Sequence, residues 1–595
     1  MSGKSDKERR KPLKTVHMKI NGQPLEVDAG ITILKAAKKL NVNIPVLCYH
    51  SDLPAWAACG ICVVKAENSP KMMRACATPV EEGMSIITHD PELYQIRKTV
   101  IELILSTHPN DCLMCGRNGN CELQNLAASF GIREQAYETR LRDLPVDDST
   151  PSIILNPEKC VNCGRCANVC QVLQDVWALE FVGRGENVRI APAADVALAD
   201  SPCIKCGQCS AHCPVGAIYE KDETRKLLDA INDPSKYVAV QIAPAVRVAI
   251  GEAFGYEPGE ISTGKIYAAL RQLGVDAVFD TNFSADLTIM EEATEFVQRI
   301  SSGQGYLPQL TSCCPAWTDY MEKYFPDMIP HFSTAKSPMM MQGAITKTYY
   351  AEKIDKKSSE IYSAAIMPCT AKKYEITRCE KMFSSGEQDV DVVLTTRELA
   401  RLIRSAGIDF QNLPDERADN PIGKYSGAGT IFGNTGGVME AAIRSAYHFI
   451  TGRELEDMNV TAVRGMEGVR SGEIDIDGKK IRVAVAHGMA NVGTLLREVR
   501  KAKEEGGEPP YHFIEVMACR GGCIAGGGQP YGTTDEVRKK RIAGLYRDDE
   551  ASEIRASHQN PEIRQIYAEF LDRPLSEKSH ELLHTRYTPR PIYQI

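Results

Sequence analysis

Along residues 16–40 the apolar positions change period. VHMKINGQPLEVDAG reads as a β-hairpin and ITILKAAKKL as a helix, a ubiquitin-like ββα start of the β-grasp kind. From about residue 236 the pattern shifts to short β-branched runs: YVAVQIAPAV, DAVFDTNF, LPQLTSCCPAW, SAAIMPCTAKK, DVVLTTRE, GTIFGNTGG, IRVAVAHG and YHFIEVMACRGGC. Helical stretches such as TGKIYAALRQLG and TIMEEATEFVQRI lie between several of them. Strands alternating with helices predict α/β layers around largely parallel sheets, where ligands gather beyond the carboxyl ends of strands. The C-terminal DEVRKKRIAGLY, EIRQIYAEFLDRP and SHELLHTRY read as amphipathic helices.

At 595 residues the chain is long enough for about four domains. A formal charge of -8 argues against nucleic acid as the main partner. No run of 18 apolar residues appears, so no membrane span is expected. The first fifteen residues hold six Lys or Arg against two acids, and no apolar stretch follows Arg9-Arg10. A basic, solvated tail over 1–15 is the expectation, not a secretory or twin-arginine signal.

The 21 cysteines alter the picture, because they are bunched. Clustered thiols in a signal-free chain read as metal ligands in a reducing, cytoplasmic compartment. Cys48, Cys59, Cys62 and Cys76 are spaced C-x10-C-x2-C-x13-C, a relative of the plant-type [2Fe–2S] pattern, with structural zinc as the rival. His108, Cys112, Cys115 and Cys121 form H-x3-C-x2-C-x5-C, which suits zinc and iron equally on spacing alone. Their neighbours favour iron. Cys160, Cys163, Cys166, Cys170 and then Cys203, Cys206, Cys209, Cys213 repeat C-x2-C-x2-C-x3-C, the bacterial two-cluster ferredoxin pattern. In that pattern the fourth thiolate of each run crosses over, so Cys170 is expected to complete the second [4Fe–4S] cluster and Cys213 the first. Gln171 stands where a proline usually follows, a turn position and not a ligand. Four clusters in one chain predict an electron wire.

Three further segments, TSCCPAW, MPCTAKKYE and EVMACRGGCIAGGGQP, closely resemble the signature loops of [FeFe]-hydrogenases. The resemblance runs from about residue 16 to the C-terminus; the ferredoxin part alone also resembles the large iron–sulfur subunit of respiratory NADH dehydrogenases. It implies an H-cluster, a [4Fe–4S] cubane joined to a diiron centre bearing CO, cyanide and a bridging dithiolate amine. Cys314, Cys369, Cys519 and Cys523 match its ligands, Cys523 being the bridging thiolate. Cys313 matches the family's proton-relay thiol, and Glu292, Glu295, Arg299 and Ser333 match its proton route. Lys372 matches the lysine that hydrogen-bonds one cyanide; a buried ammonium needs an anionic partner, and the diiron unit would supply one. Met367 and Met517 match contacts to the diiron unit, and Ala243 and Pro244 match the strand end at the other cyanide. Cys379 matches no ligand position and reads as a plain thiol. The GNTGG stretch at 433–437 is weak evidence for a phosphate site; a tight turn near the cofactor is the better reading.

The resemblance therefore implies reversible H2 ⇌ 2 H⁺ + 2 e⁻, with one [2Fe–2S] cluster, three [4Fe–4S] clusters and the H-cluster as cofactors. A non-catalytic electron carrier would need the ferredoxin half only. An iron–sulfur assembly protein on this fold would lack Cys313 and Lys372, and a hydrogen sensor would depart at the relay cysteine. Electrons are expected to pass to ferredoxin or to flavin-containing NADH-dehydrogenase-like subunits handling NAD(P)H, with electron bifurcation as one form of this. Maturation proteins are further expected partners. The expected divisions are a tail at 1–15, a [2Fe–2S] β-grasp domain at 16–93, a [4Fe–4S] module held by one histidine and three cysteines at 94–140, and a two-[4Fe–4S] domain at 141–230. A catalytic α/β domain at 236–533 and a small-subunit-like helical segment at 534–595 follow.

Overall fold

The computed structural model describes residues 15–303 and 305–594, so the basic tail lies almost wholly outside the described residues. Strands β1 (Thr15–Ile20) and β2 (Gln23–Asp28) form the hairpin, and Thr32 caps the helix Ile33–Lys39 by accepting from the Lys35 amide. β3 (Val63–Ala66), β4 (Met72–Arg74) and β5 (Ser85–Ile87) complete a sheet of order β2-β1-β5-β3-β4. Its core is Met18, Ile20, Ile33 and Val64, packed with Cys62 and Cys76. The helices Pro91–Leu105 and Glu122–Ser129 follow, flanking the His108–Cys121 loop. Next come two small antiparallel pairs, β6 (Ile153–Leu155) with β9 (Ile218–Glu220), and β7 (Glu180–Val182) with β8 (Arg189–Ala191).

The remainder is built on two sheets. One has the order β11-β10-β13-β14 and is parallel throughout, from β10 (Tyr237–Ile242), β11 (Ala277–Asp280), β13 (Ile361–Met367) and β14 (Val392–Thr395). The other has the order β12-β17-β16-β15, from β12 (Gln309–Leu310), β15 (Val469–Ile476), β16 (Lys479–His487) and β17 (Phe513–Met517). It is parallel except for the β15–β16 hairpin. Strands β10, β11, β13, β14 and β17 are buried almost end to end, as helices on both faces of a parallel sheet require. Register aligns their carboxyl ends: Ile242 opposes Ile366, and His487 opposes Met517. The loops that leave those ends carry Ala243-Pro244, Cys313-Cys314, Cys369 and Cys519.

Two sequence expectations change here. GTIFGNTGG is not a strand: the Ser426 hydroxyl accepts from the Gly429 amide and starts the helix Gly427–Ile431. After a turn, Gly436 at φ +91° opens the helix Gly437–Thr451. A short buried apolar run has the same composition in a strand or a helix, so periodicity could not separate them. The helix Asp535–Ala551 is not amphipathic in the apolar sense either. It buries Arg538, Arg541 and Asp549 together with Gly544 and Leu545. Arg541 pairs with Glu252 at 2.7 Å, Asp549 pairs with Arg444 at 2.8 Å, and Arg538 reaches Asp52. This helix is docked largely by buried ion pairs, whereas the segment after it buries Ile563, Ile566, Leu571, Leu582 and Leu583 in an apolar cluster.

Candidate active site

One cavity gathers the loops at the strand ends of both sheets. Cys313, Cys314, Cys369, Cys519 and Cys523 line it, with Lys372, Met367, Met517, Ala243 and Pro244. Met339, Thr281 and Phe432 also line it and were not found from the sequence, because nothing local marks a residue delivered by a distant helix. The cavity wall is apolar apart from the thiols, Thr281 and Lys372. Burial pushes the Cys369 thiol up to about 12 and the Cys314 thiol upward as well.

The loops are tightly specified. A Cβ on Gly522 would sit 2.6 Å from the Thr435 amide nitrogen, and one on Gly526 would sit 2.2 Å from the Pro368 carbonyl oxygen. The GNTGG amides are already engaged. Glu515, buried on β17, accepts from the Gly436 and Met439 amides at 2.6 and 2.7 Å, and burial pushes it up to about 7. A carboxylate of the chain thus occupies the helix start where an anion could bind.

Lys372 donates to the Cys313 carbonyl at 3.1 Å and to Glu375 at 2.7 Å. Glu375, which the sequence reading missed, thus gives the ammonium a counter-charge within the chain, beside the diiron unit the resemblance implies. Burial opposes the charge on Lys372, but the Glu375 carboxylate together with the nearby Cys369 and Cys313 sulfurs holds the group above its ordinary value.

A polar file leads away from Cys313 along the helix Thr281–Ser302. Glu292 is 1% exposed, one carboxylate oxygen has no partner, and burial followed by the Glu295 charge pushes it up to about 8. The Ser333 hydroxyl donates to Glu295 at 2.8 Å and lies close to Glu292. Arg299 donates to Glu295 at 2.6 Å and to the backbone carbonyls of Tyr306, His331 and Phe332. Glu292 is buried midway along the file, between Cys313, which opens onto the cavity, and the part-exposed Glu295 and Arg299.

The other cysteines fall into four groups. Cys170, Cys203, Cys206 and Cys209 line one small cavity; Cys160, Cys163, Cys166 and Cys213 line another. His108, Cys112, Cys115 and Cys121 surround a cavity of about 480 Å³, and buried His108 keeps Nδ1 unpartnered, with burial pulling it down to about 4. Cys48 lies close to Cys59 and Cys76, and Cys62 close to Cys76. Cys379 lies apart from all of these, 3.6 Å from the Thr585 hydroxyl.

These donor sets fit iron–sulfur clusters. Four sulfurs on one zinc ion stand about 3.8 Å apart, whereas among the described residues no three cysteine sulfurs lie within 4.8 Å of one another. The sets are spread for a larger unit than a single ion. A neutral imidazole with a free nitrogen at His108 is the ligating form.

Comparison with known proteins agrees with this chemistry. Residues 236–527 match the iron only hydrogenase large subunit, C-terminal domain, and residues 535–590 the iron hydrogenase small subunit. Residues 13–91 match a 2Fe-2S iron-sulfur cluster binding domain and 159–217 a 4Fe-4S dicluster domain. Residues 97–136 match the NADH-ubiquinone oxidoreductase-G iron-sulfur binding region. The NADP-reducing hydrogenase subunit HndD of Solidesulfovibrio fructosivorans is 47% identical over 584 residues, covering 96% of this chain and 98% of that one. Iron hydrogenase 1 of Clostridium pasteurianum is 40% identical over 578 residues, covering 96% and 99%. The solved apo [FeFe]-hydrogenase HydA1 from Chlamydomonas reinhardtii superposes with a TM-score of 0.55 at 39% identity, over 62% of this chain and all of its own. With five thiols converging on one apolar cavity and relatives matched along nearly its whole length, the chain belongs to the iron-only [FeFe]-hydrogenase family and is an oxidoreductase of hydrogen.

Proposed function

We propose that this chain is the catalytic subunit of a multi-subunit hydrogenase that interconverts H2 with protons and electrons. The observation that carries the proposal is the convergence of Cys314, Cys369, Cys519 and Cys523, from three loops, around a cavity bordered by a fifth thiol, Cys313. In this reading the four hold the H-cluster, Cys523 as the bridging thiolate, and a bound H-cluster supplies an open iron site for heterolytic splitting of H2. Cys313 stays unligated and accepts or returns the proton, since a thiol is both a weak donor and a weak acceptor. Glu292, held neutral near pH 7 by burial, is its next partner, and Ser333, Glu295 and Arg299 carry the proton outward. Lys372 and the apolar side chains of Met367, Met517, Ala243 and Pro244 hold the cofactor by non-covalent contact.

The remaining thiols carry one [2Fe–2S] cluster (Cys48, Cys59, Cys62, Cys76) and three [4Fe–4S] clusters. The last step of the wire runs from the set of Cys170, Cys203, Cys206 and Cys209 to the active site. Support comes from close packing there: a Cβ on Gly527 would meet the Cys206 carbonyl at 2.4 Å, and Gln208 donates to Cys519 Sγ at 3.2 Å. The division into units at 16–93, 94–140, 141–230, 236–533 and 534–595 follows these sets.

The partner reading rests on the module at residues 97–136 and on a relative described as NADP-reducing. Flavin-containing, NADH-dehydrogenase-like subunits and ferredoxin are the electron partners, with bifurcation between them as the finer form, and maturation proteins supply the diiron unit. The thiol-rich chain belongs in a reducing compartment, the cytoplasm. Among the described residues no helix is long and apolar enough to cross a membrane. Co-purification tests the complex: NAD(P)-linked hydrogen turnover with flavin-bearing subunits is the expected result, and a chain isolated alone with full ferredoxin-linked activity would contradict it.

A further inference from the structure

Arg165 stands between Cys163 and Cys166 at the start of the short helix Arg165–Asn168 and is 3% exposed. Its Nη1 donates to Glu122 Oε1 at 2.6 Å and to the His212 carbonyl at 3.4 Å. Its Nη2 donates to Glu122 Oε2 at 2.7 Å and to the Tyr49 carbonyl at 2.8 Å. Every one of these partners adjoins a cluster cysteine: Tyr49 follows Cys48, Glu122 follows Cys121 and His212 precedes Cys213. The remaining donor, Nε, has no protein partner.

Nearby contacts draw the same modules together. The Asn168 side chain donates to the Pro54 carbonyl at 3.0 Å, and Trp56, from the loop between Cys48 and Cys59, lies against Gly164 and stacks on Phe181. The charges facing this junction are Arg165 itself, its partner Glu122, and Asp52, which pairs with Arg538 and lies 3.5 Å from His212.

We propose that Arg165 is the positioning residue of a three-way junction in the wire. It locks the Cys48 and Cys121 modules onto the cluster site of Cys160, Cys163, Cys166 and Cys213, and as a buried cation it favours the reduced form of a cluster there. The proposal rests on the reading of those cysteines as cluster ligands. A guanidinium presents five donors in a fixed fork, so one residue serves two backbone carbonyls and a carboxylate from three segments; an ammonium has the charge without the fork. A cluster gains negative charge when it accepts an electron, and a nearby cation in a low dielectric stabilises that state.

The test is an EPR-monitored redox titration of the cluster-loaded protein, with amide hydrogen exchange over residues 45–60 and 118–126. Arg165→Gln is expected to lower the potential of the junction cluster, and Glu122→Gln, which removes the counter-charge, to raise it. Arg165→Lys is expected to stay nearer the wild-type potential than Arg165→Gln while exchange at both segments speeds up. Should Arg165→Gln fail to fold, the upward shift in Glu122→Gln still decides the electrostatic part. Unchanged or downward potentials in Glu122→Gln, or identical shifts in the two Arg165 variants, would overturn it. A wild-type protein with full iron elsewhere but no cluster on these four cysteines would instead overturn the underlying ligand assignment.

Discussion

Glu292 is the residue whose environment says most about its work. Burial and the charge of Glu295 raise its carboxyl to about 8, so it carries its proton at neutral pH. The fold favours the neutral form, and that stabilising contribution is complete below the ordinary carboxylate range and is lost as pH rises through about 8. Glu292→Gln keeps the neutral shape, so its apparent melting temperature should exceed the wild type at pH 9 and match it near pH 5. Turnover should fall by about 10²-fold or more, the usual worth of a positioned proton carrier. Parallel pH profiles of stability in the two proteins would count against the assignment. Lys372 offers a second test, because Glu375 is its partner in the chain. Glu375→Gln strands a buried ammonium, a change that costs about 3 kcal/mol when nothing else compensates. Denaturation should show a smaller loss in protein carrying the diiron unit than in protein without it; equal losses would mean that Lys372 does not face an anionic cofactor.

At the scale of elements, much was legible and the gaps have physical causes. The grouping of the cysteines was legible because members of one group are partly close in sequence, and their spacing is fixed by loop geometry. The meeting of TSCCPAW, MPCTAKKYE and EVMACRGGC was legible only through family resemblance, since three loops from two sheets leave no local period. Glu515, Gln208 and Arg165 escaped notice because each acts on a backbone or sulfur far away in sequence. The misread GTIFGNTGG and the salt-bridged C-terminal helix share one cause: tertiary partners decided their states. Glu515 also makes a prediction. Glu515→Ala orphans two buried amides at the start of the helix Gly437–Thr451, a loss of about 2 kcal/mol or more. Faster amide exchange confined to residues 433–440 would accompany it, and undisturbed exchange there would contradict the capping role.

Across the whole molecule, the proposed function assigns electrons and protons to different walls of one cavity. In that proposal protons leave through Cys313 and the Thr281–Ser302 helix, while the segment carrying Lys205 and Gln208 abuts Thr370 and Cys519. The Thr370 hydroxyl donates to the Lys205 carbonyl at 2.8 Å, and Gln208 reaches Cys519. An N–H···S bond favours the reduced state of a cluster. Gln208→Leu should therefore lower the potential of the cubane proposed at Cys519 and slow electron delivery from the neighbouring set, leaving iron content unchanged. A potential equal to the wild type would remove Gln208 from the wire.

The proposed chemistry requires Cys313 to remain free of metal beside a ligated Cys314. The direct measurement is infrared spectroscopy together with H2 oxidation and evolution in matured protein, wild type against Cys313→Ala. The prediction is a variant that keeps its CO and cyanide bands and loses nearly all turnover. Undiminished turnover, or loss of the bands themselves, would contradict it.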